Sequence, residues 1–341
     1  MQRGRQRPGS AAEWDAVRRP SCWPCCEEGH AHAVYLAREL SYQLIREYNT
    51  TKYNVHGRFG IFADGDRVNY AVTGKPRLPF GAIHVENNYG HTKTRFIYSR
   101  LCELNRNNTI NTICEIGFNA GLSAILMLEA ARSARLVSFD LADFRWAHRA
   151  DELVRQHYGR RRFPGVVFGD SSLTVATLKE AAAAAAASTG DVPLVKMDGF
   201  EDDDAARLPK SDKQYLQRHT RSGIIPQALA QAIGPPLHCD AGFIDGAKTF
   251  TGRLRHILSM RSVSSPGTVV FMDEVTSKEC CDGTFGDGDE HAARCKPLNE
   301  GYYDATRAYS HAAKRGLLKV VECDWPSGYN GTDGVCMGVL L

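Results

Sequence analysis

Apolar and polar positions follow two periods along the chain. Between residues 33 and 48 apolar side chains recur every three or four positions, which predicts an amphipathic helix. From about residue 91 to the end, short apolar runs typical of buried strands alternate with helical stretches. The predicted strands are residues 111–118, 134–141, 165–170, 238–246, 267–275, 317–325 and 334–341. The helices predicted between the first six strands are residues 121–133, 146–158, 171–187, 249–263 and 299–315.

This alternation predicts an α/β fold whose sheet is covered by helices on both faces. Only a short glycine-rich link joins the last two strands, so we expect them to pair antiparallel. The expected architecture is a doubly wound, Rossmann-like sheet of seven strands, mostly parallel, with an antiparallel C-terminal hairpin strand.

Three regions follow from the same patterns. Residues 1–32 form a basic tail that we expect to be disordered, residues 33–90 a helical and irregular N-terminal extension, and residues 91–341 the α/β domain. Inside that domain, residues 188–236 show no clear periodicity and far exceed the usual loop of about 2–6 residues. We expect an insertion there that is either disordered or a lid.

Charge and cysteine content narrow the classes of function. The formal net charge is +3, and residues 1–20 alone carry +3, so the rest of the chain is neutral and has no overall attraction to nucleic acid. No apolar run reaches the roughly 18 residues of a membrane span. The eleven cysteines are irregularly spaced, which favours free thiols and a cytoplasmic protein. Organelle targeting by the basic tail is the alternative.

The strongest local motif is ICEIGFNAGLSAILMLEA at residues 113–130. A strand ends near Glu115, and Gly117, Asn119 and Gly121 turn the chain into a helix. Such glycines let a ligand approach the backbone, and the helix N-terminus offers N–H groups to an anion. The spacing Gly-x-x-x-Gly differs from the Gly-x-Gly-x-x-Gly of dinucleotide folds, which disfavours a nicotinamide-dependent dehydrogenase.

Polar residues also stand at the ends of the next four strands. Asp140 ends the second strand, Asp170 and Ser171 follow the third, FIDGAK (243–248) ends the fourth and MDEV (272–275) the fifth. Ligands of open α/β sheets bind outside the carboxyl ends of the strands, so we expect all five sets to meet in one crevice.

With these motifs the chain resembles the class I S-adenosylmethionine-dependent methyltransferases, especially the small-molecule, catechol-type O-methyltransferases. The resemblance covers about residues 85–341 and includes the final antiparallel hairpin. It implies a Rossmann-like methyltransferase fold and S-adenosyl-L-methionine as cofactor. The residues that it assigns to the cofactor are Glu115, Gly117, Asn119, Gly121 and Ser123 for the methionine part, Asp140 for the ribose, Asp170 and Ser171 near the adenine, and Asp245.

The same resemblance implies a catalytic centre. Carried over, Asp245, Asp273 and Glu274 are ligands of a divalent metal, for which Mg²⁺ suits oxygen ligands, and Lys248 is the base. Glu274 departs from the asparagine of the family. The alternative is structural: Asp245 caps a helix and contacts the cofactor, Asp273 and Glu274 form a solvated turn, and Lys248 lies on the surface.

Two cysteine clusters permit other chemistry. CWPCCEEGHAH (22–32) offers Zn²⁺ ligands, namely Cys22, Cys25, Cys26, His30 and His32, although a disordered tail is the simpler interpretation. In the segment after the fifth strand, Cys280 or Cys281 can pair with Cys295 and pin a loop, and His291 is a second candidate base. Free thiols and a solvated histidine are the default expectations.

The sequence therefore predicts a methyltransferase that acts on a hydroxyl of a small molecule or sugar. A protein or nucleic-acid methyltransferase of the same fold, and a cofactor-binding module without turnover, are the alternatives. The identity of the acceptor and the oligomeric state stay open.

Overall fold

The fold is taken from a computed structural model. The structure describes residues 27–49, 88–141, 146–185, 192–193, 224–234, 236–275, 277–285, 289–295, 300–324 and 334–341. All statements below concern these residues. Most of the predicted tail, the predicted irregular segment 52–90 and most of the predicted insertion 188–236 lie outside them.

One seven-stranded sheet organises the described residues. Its strands are β1 (Thr112–Ile116), β2 (Arg135–Asp140), β3 (Val166–Phe168), β6 (Cys239–Ile244), β7 (Ser264–Val275), β8 (Leu318–Asp324) and β9 (Gly334–Leu340). They lie in the order β3-β2-β1-β6-β7-β9-β8. The pairs from β3 through β7 are parallel, whereas β9 runs antiparallel to both β7 and β8. The predicted sheet, including its antiparallel C-terminal hairpin, is confirmed.

Two short strands, β4 (Val192–Pro193) and β5 (Ile224–Ile225), pair antiparallel within the predicted insertion. The helices before β6 are α1 (Glu27–Asn49), α2 (Asn88–Leu104), α3 (Leu122–Ala130), α4 (Trp146–Arg162), α5 (Ser171–Ala185) and α6 (Gln227–Ile233). Those after it are α7 (Phe250–Ser262), α8 (Lys278–Cys281), α9 (Asp289–Cys295) and α10 (Glu300–Lys314). The helix predicted at 33–48 begins six residues earlier, so residues 27–32 are helical and do not belong to the tail.

Two apolar layers hold the helices to the sheet. Successive residues of a strand point to opposite faces, and Ile113 and Cys114 of β1 accordingly lie in different layers. One layer joins the sheet to α1, α2, α3 and α4, and the other joins it to α5, α6, α7 and α10. Burial on both faces explains why the strands of the parallel part are almost continuously apolar.

Three disulfide bridges connect described cysteines: Cys114–Cys239, Cys280–Cys295 and Cys323–Cys336. The default expectation of free thiols is therefore wrong for these six residues. The alternative pairing of Cys280 with Cys295 is confirmed, and it ties α8 to α9 in the segment that follows β7. Sequence spacing did not reveal the other two bridges because their partners come from separate strands.

No helix of the described residues is long and apolar enough to cross a membrane.

Candidate functional site

The glycine turn after β1 lies against the end of β6. The Gly117 N–H donates to the carbonyl of Phe139 at 2.8 Å, and its φ of +102° suits glycine. A Cβ at Gly117 would lie 2.3 Å from the carbonyl oxygen of Asp245. Glycine is thus required because two strand-end loops approach each other, in addition to any ligand that the turn receives. The contact places Asp245 beside the turn, as the convergence of strand ends predicted.

Asp140 is held at the carboxyl end of β2 by the same turn. Its Oδ2 accepts the backbone N–H of Asn119 at 2.8 Å, and Asn119 adopts a left-handed φ of +47°. The Asn119 Oδ1 accepts the indole N–H of Trp146 at 2.7 Å, which fixes the amide against α4. Asp140 is half-buried, so its carboxylate is oriented by the protein and stays partly exposed at the carboxyl end of β2.

Glu115 lies inside the domain beneath this turn. Its side chain is fully buried, and its two carboxylate oxygens accept the hydroxyls of Ser123 and, at 2.6 Å, Ser138. Burial raises the pKa of Glu115 to about 7, although both serine hydroxyls oppose this shift. Glu115 and Ser123 therefore connect β1, β2 and α3 inside the domain, and their contact with the cofactor stays a prediction.

Asp170 and Ser171 lie at the start of α5, on the same edge of the sheet. The Asp170 Oδ1 accepts both the backbone N–H of Ser172 at 2.8 Å and its hydroxyl at 2.7 Å. Asp170 consequently caps the first turn of the helix, where N–H groups lack partners within the helix. Contact of Asp170 and Ser171 with an adenine stays a prediction.

An acidic centre forms where β6 and β7 end. Asp273 and Glu274 are buried at the end of β7, and Glu274 has a left-handed φ of +61° at an irregularity in the β7–β9 pairing. The backbone N–H of Glu274 donates to the Asp273 Oδ1 at 2.8 Å, which fixes the Asp273 carboxylate against the backbone of the next residue. Burial, together with the charges of Asp273 and Glu274, raises the pKa of Asp245 well above its usual range.

Cationic side chains pair with this centre. The ammonium of Lys248 contacts the Glu274 Oε1, and the Nη2 of Arg253 lies 3.1 Å from the Glu274 Oε2. Lys93 of α2 forms an ion pair with the Asp273 Oδ1. Arg253 is fully buried and also donates to the carbonyl of Ile244 at 2.8 Å.

Lys93 and Arg253 are site residues that sequence reasoning missed. Each had a detectable signal, because each lies on an apolar helix face: Lys93 stands four residues before Ile97, and Arg253 four before Ile257. A charged residue at such a position needs a buried partner of opposite charge.

The predicted metal site does not fit this arrangement. The Glu274 carboxylate is turned toward Arg253 and Lys248, and the Asp273 Oδ1 is engaged by Lys93 and a backbone N–H. Among the described residues, no three histidine, cysteine or acidic side chains are grouped so as to hold a metal ion. The assignment of Asp245, Asp273 and Glu274 as ligands of Mg²⁺ is therefore not supported.

The structure describes only part of the alternative zinc cluster at residues 22–32. His30 is buried in α1, and its Nε2 lies 3.0 Å from the hydroxyl of Thr94. His30 thus belongs to the helical core, while Cys22, Cys25 and Cys26 lie outside the described residues. The same limit applies to the side chain of His291, so its role as a second base stays a prediction.

Comparison with known families finds one match. The model of a family described as a methyltransferase domain matches residues 114–275, which run from β1 to the end of β7. No curated protein sequence matches the chain.

Three solved structures resemble the chain. An O-methyltransferase from Bacillus cereus in complex with SAH has 15% identity and a TM-score of 0.42, over 89% of this chain and 100% of that one. TomG, an O-methyltransferase from Streptomyces achromogenes in complex with SAM, has 16% identity and a TM-score of 0.40, over 72% of this chain and 80% of that one. The SAH-bound methyltransferase PaMTH1 from Podospora anserina has 15% identity and a TM-score of 0.40, over 95% of this chain and 100% of that one. These distant resemblances do not identify a substrate.

The sheet order and the reversed β9 are those of a Rossmann-like methyltransferase fold, and residues 114–275 match the model of a methyltransferase-domain family. The flanking helices and C-terminal strands complete the fold around residues 114–275.

Proposed function

We propose that this protein transfers the methyl group of S-adenosylmethionine to a hydroxyl of a small molecule or sugar. One observation carries the proposal: the carboxylate of Asp140, the glycine turn 117–121 and the half-exposed Lys248 with its partner Glu274 all lie at one edge of the sheet. A cofactor side and an acceptor side thus meet where the fold places ligands.

The cofactor side supplies backbone and carboxylate contacts. The Asp140 carboxylate can accept both hydroxyls of a ribose, and the hydrogen bond from the Asn119 N–H holds it in that orientation. Gly117 and Gly121 keep the turn between β1 and α3 compact, since a Cβ at Gly121 would lie 2.8 Å from the ring of Phe118. Asp245 reaches the same place from β6.

On the acceptor side, Lys248 is the candidate base. S-Adenosylmethionine supplies an electrophilic methyl, so that the acceptor oxygen forms an O–CH₃ bond as the sulfur–methyl bond breaks. The hydroxyl proton must leave, and the Lys248–Glu274 pair takes it up: the Lys248 ammonium first passes a proton to Glu274, and the neutral amine then accepts the proton of the hydroxyl. Burial raises the pKa of Glu274, against the lowering effect of Lys248 and Arg253, which makes that carboxylate a competent proton acceptor.

The test is S-adenosylhomocysteine release from purified protein with a panel of catechols, phenols and sugars. With an active acceptor, Lys248→Met is expected to lower kcat by about 100-fold or more, the scale of general acid–base catalysis, with KM for the cofactor unchanged. The matched control Lys319→Met changes an exposed lysine of β8 and should retain full turnover. Equal kcat in both variants would remove Lys248 from the mechanism. Cofactor binding without product from any hydroxyl acceptor would contradict the proposed reaction.

A further inference from the structure

The family resemblance calls for a divalent ion at the acidic centre, yet a helix from outside the matched region delivers a cation there. Lys93 lies on α2, before β1, and only 8% of its surface is exposed. Its ammonium contacts the Asp273 Oδ1, the carboxylate oxygen that also accepts the Glu274 N–H. The side chain of Asp273 is itself buried, so the pair lies inside the protein and not on its surface.

Glu274, the other carboxylate at the end of β7, is also paired with cationic side chains. Glu274 contacts Lys248 through one oxygen and Arg253 through the other. Arg253 cannot swing away easily, because it is fully buried and its Nη1 donates to the carbonyl of Ile244 and lies 3.1 Å from the Tyr309 hydroxyl. Three cationic side chains therefore pair with the two carboxylates of β7.

This balance disfavours a divalent ion on electrostatic grounds. A buried carboxylate is tolerated when a cation and hydrogen bonds compensate its desolvation. Here Lys93, Lys248 and Arg253 already provide that compensation, so an added Mg²⁺ would have to displace a buried ammonium and would be repelled by its neighbours.

We propose that the ammonium of Lys93 is the resident cation of this centre and stands where a divalent ion would stand, so that methyl transfer by this protein needs no divalent metal. The proposal rests on the proposed function for the reaction, but the ion pair itself can be tested without turnover.

The experiment is thermal unfolding of the full chain in EDTA, in Mg²⁺, and in NaCl matched for ionic strength. The wild-type Tm is expected to be the same in all three. Lys93→Met is expected to lower the Tm by several degrees, because it leaves Asp273 buried without its cation. Adding Asp273→Asn to that variant should recover part of the loss, and Lys93→Arg, which keeps the charge, should lose less than Lys93→Met.

Two results would overturn the proposal. One is a rise of the wild-type Tm in Mg²⁺ that Asp273→Asn abolishes, which would show a metal site at this carboxylate. The other is a Lys93→Met variant as stable as the wild type. If Lys93→Met does not fold, the Mg²⁺ comparison of the wild type with Asp273→Asn still decides.

A second readout separates this inference from the proposed function. S-Adenosylmethionine is titrated into the same samples, and once an acceptor is known, turnover is measured in EDTA and in Mg²⁺. Equal rates support the resident cation, and a rate that requires Mg²⁺ refutes it. Absence of cofactor binding from folded protein would refute the proposed function and leave the Tm comparison intact.

Discussion

At the scale of a single residue, the raised pKa of Glu115 makes the stability of the fold depend on pH. Its folded-state pKa of about 7 lies above the ordinary value of 4.5 because burial disfavours the charged form. The folded protein thus holds the proton more tightly than the unfolded chain. Its contribution to stability is complete below about pH 4.5 and is lost as the pH rises through 7, amounting to about 3 kcal/mol.

Replacement of this carboxyl tests that linkage. In Glu115→Gln, the fall in unfolding free energy between pH 5 and pH 8 should be smaller than in the wild type, because the titrating group is gone. Urea unfolding at the two pH values measures the difference. An identical pH dependence in both proteins would show that Glu115 titrates normally.

Gly117 gives a second prediction at this scale. Gly117→Ala combines a left-handed φ with a Cβ placed 2.3 Å from the Asp245 carbonyl oxygen, and we expect a loss of more than about 2 kcal/mol. Gly316→Ala is the matched control, since Gly316 has a φ of +66° but nothing within 4 Å of a Cβ. It should lose only about 1 kcal/mol from the backbone term. If chemical denaturation shows the same loss of unfolding free energy for both variants, the loop that carries Asp245 moves to make room for the added Cβ.

Single residues also show what a sequence can reveal about a site. Asp140, Asp245 and Glu274 were predicted because each follows a buried strand, and strand ends converge in this fold. Lys93 and Arg253 were missed because they reach the centre from helices, and a helix position does not reveal which strand end it faces. The metal prediction is not supported for the same reason, since it considered the carboxylates without their cationic partners.

At the scale of elements, α1 belongs to the core of the described fold. It packs against α3 and α4, and Leu44 on it is fully buried. Leu44→Ala should therefore lower the unfolding free energy by about 2–5 kcal/mol. Tyr35→Ala, on the same helix with 47% of the residue exposed, should change it by at most about 0.5 kcal/mol. Equal effects in a denaturant titration would mean that α1 is not docked in solution.

The strands were predicted almost completely, because a parallel sheet covered on both faces requires continuous apolar runs with helical crossovers. The antiparallel β9 followed from its short link to β8. The beginning of α1 was placed too late, since residues 27–32 are polar and helical periodicity needs apolar positions to be visible. The pairing of β4 with β5 was missed because two residues form no recognisable pattern.

At the scale of the whole molecule, the three disulfides that join described cysteines bear on the compartment in which the protein folds. Cystines persist in oxidising compartments and are rare in the cytosol, so these bridges count against the predicted cytoplasmic location. Protein from its own cells, lysed in denaturant with an alkylating reagent and digested without reductant, should yield linked peptides for Cys280–Cys295 and Cys323–Cys336. Cys281, which takes part in none of the three bridges, should carry the alkyl label. Alkylation of all these cysteines would contradict the bridges.

The central claim, that the strand-end crevice binds S-adenosylmethionine, is tested most directly by calorimetric titration of the cofactor. We predict micromolar binding to the wild type and a loss of about tenfold or more in Asp140→Asn, because hydrogen bonds to a charged group are worth about 1.5–3 kcal/mol. Glu152→Gln, which changes an exposed carboxylate on α4, should bind like the wild type. No heat of binding from protein shown to be folded by circular dichroism would contradict the account.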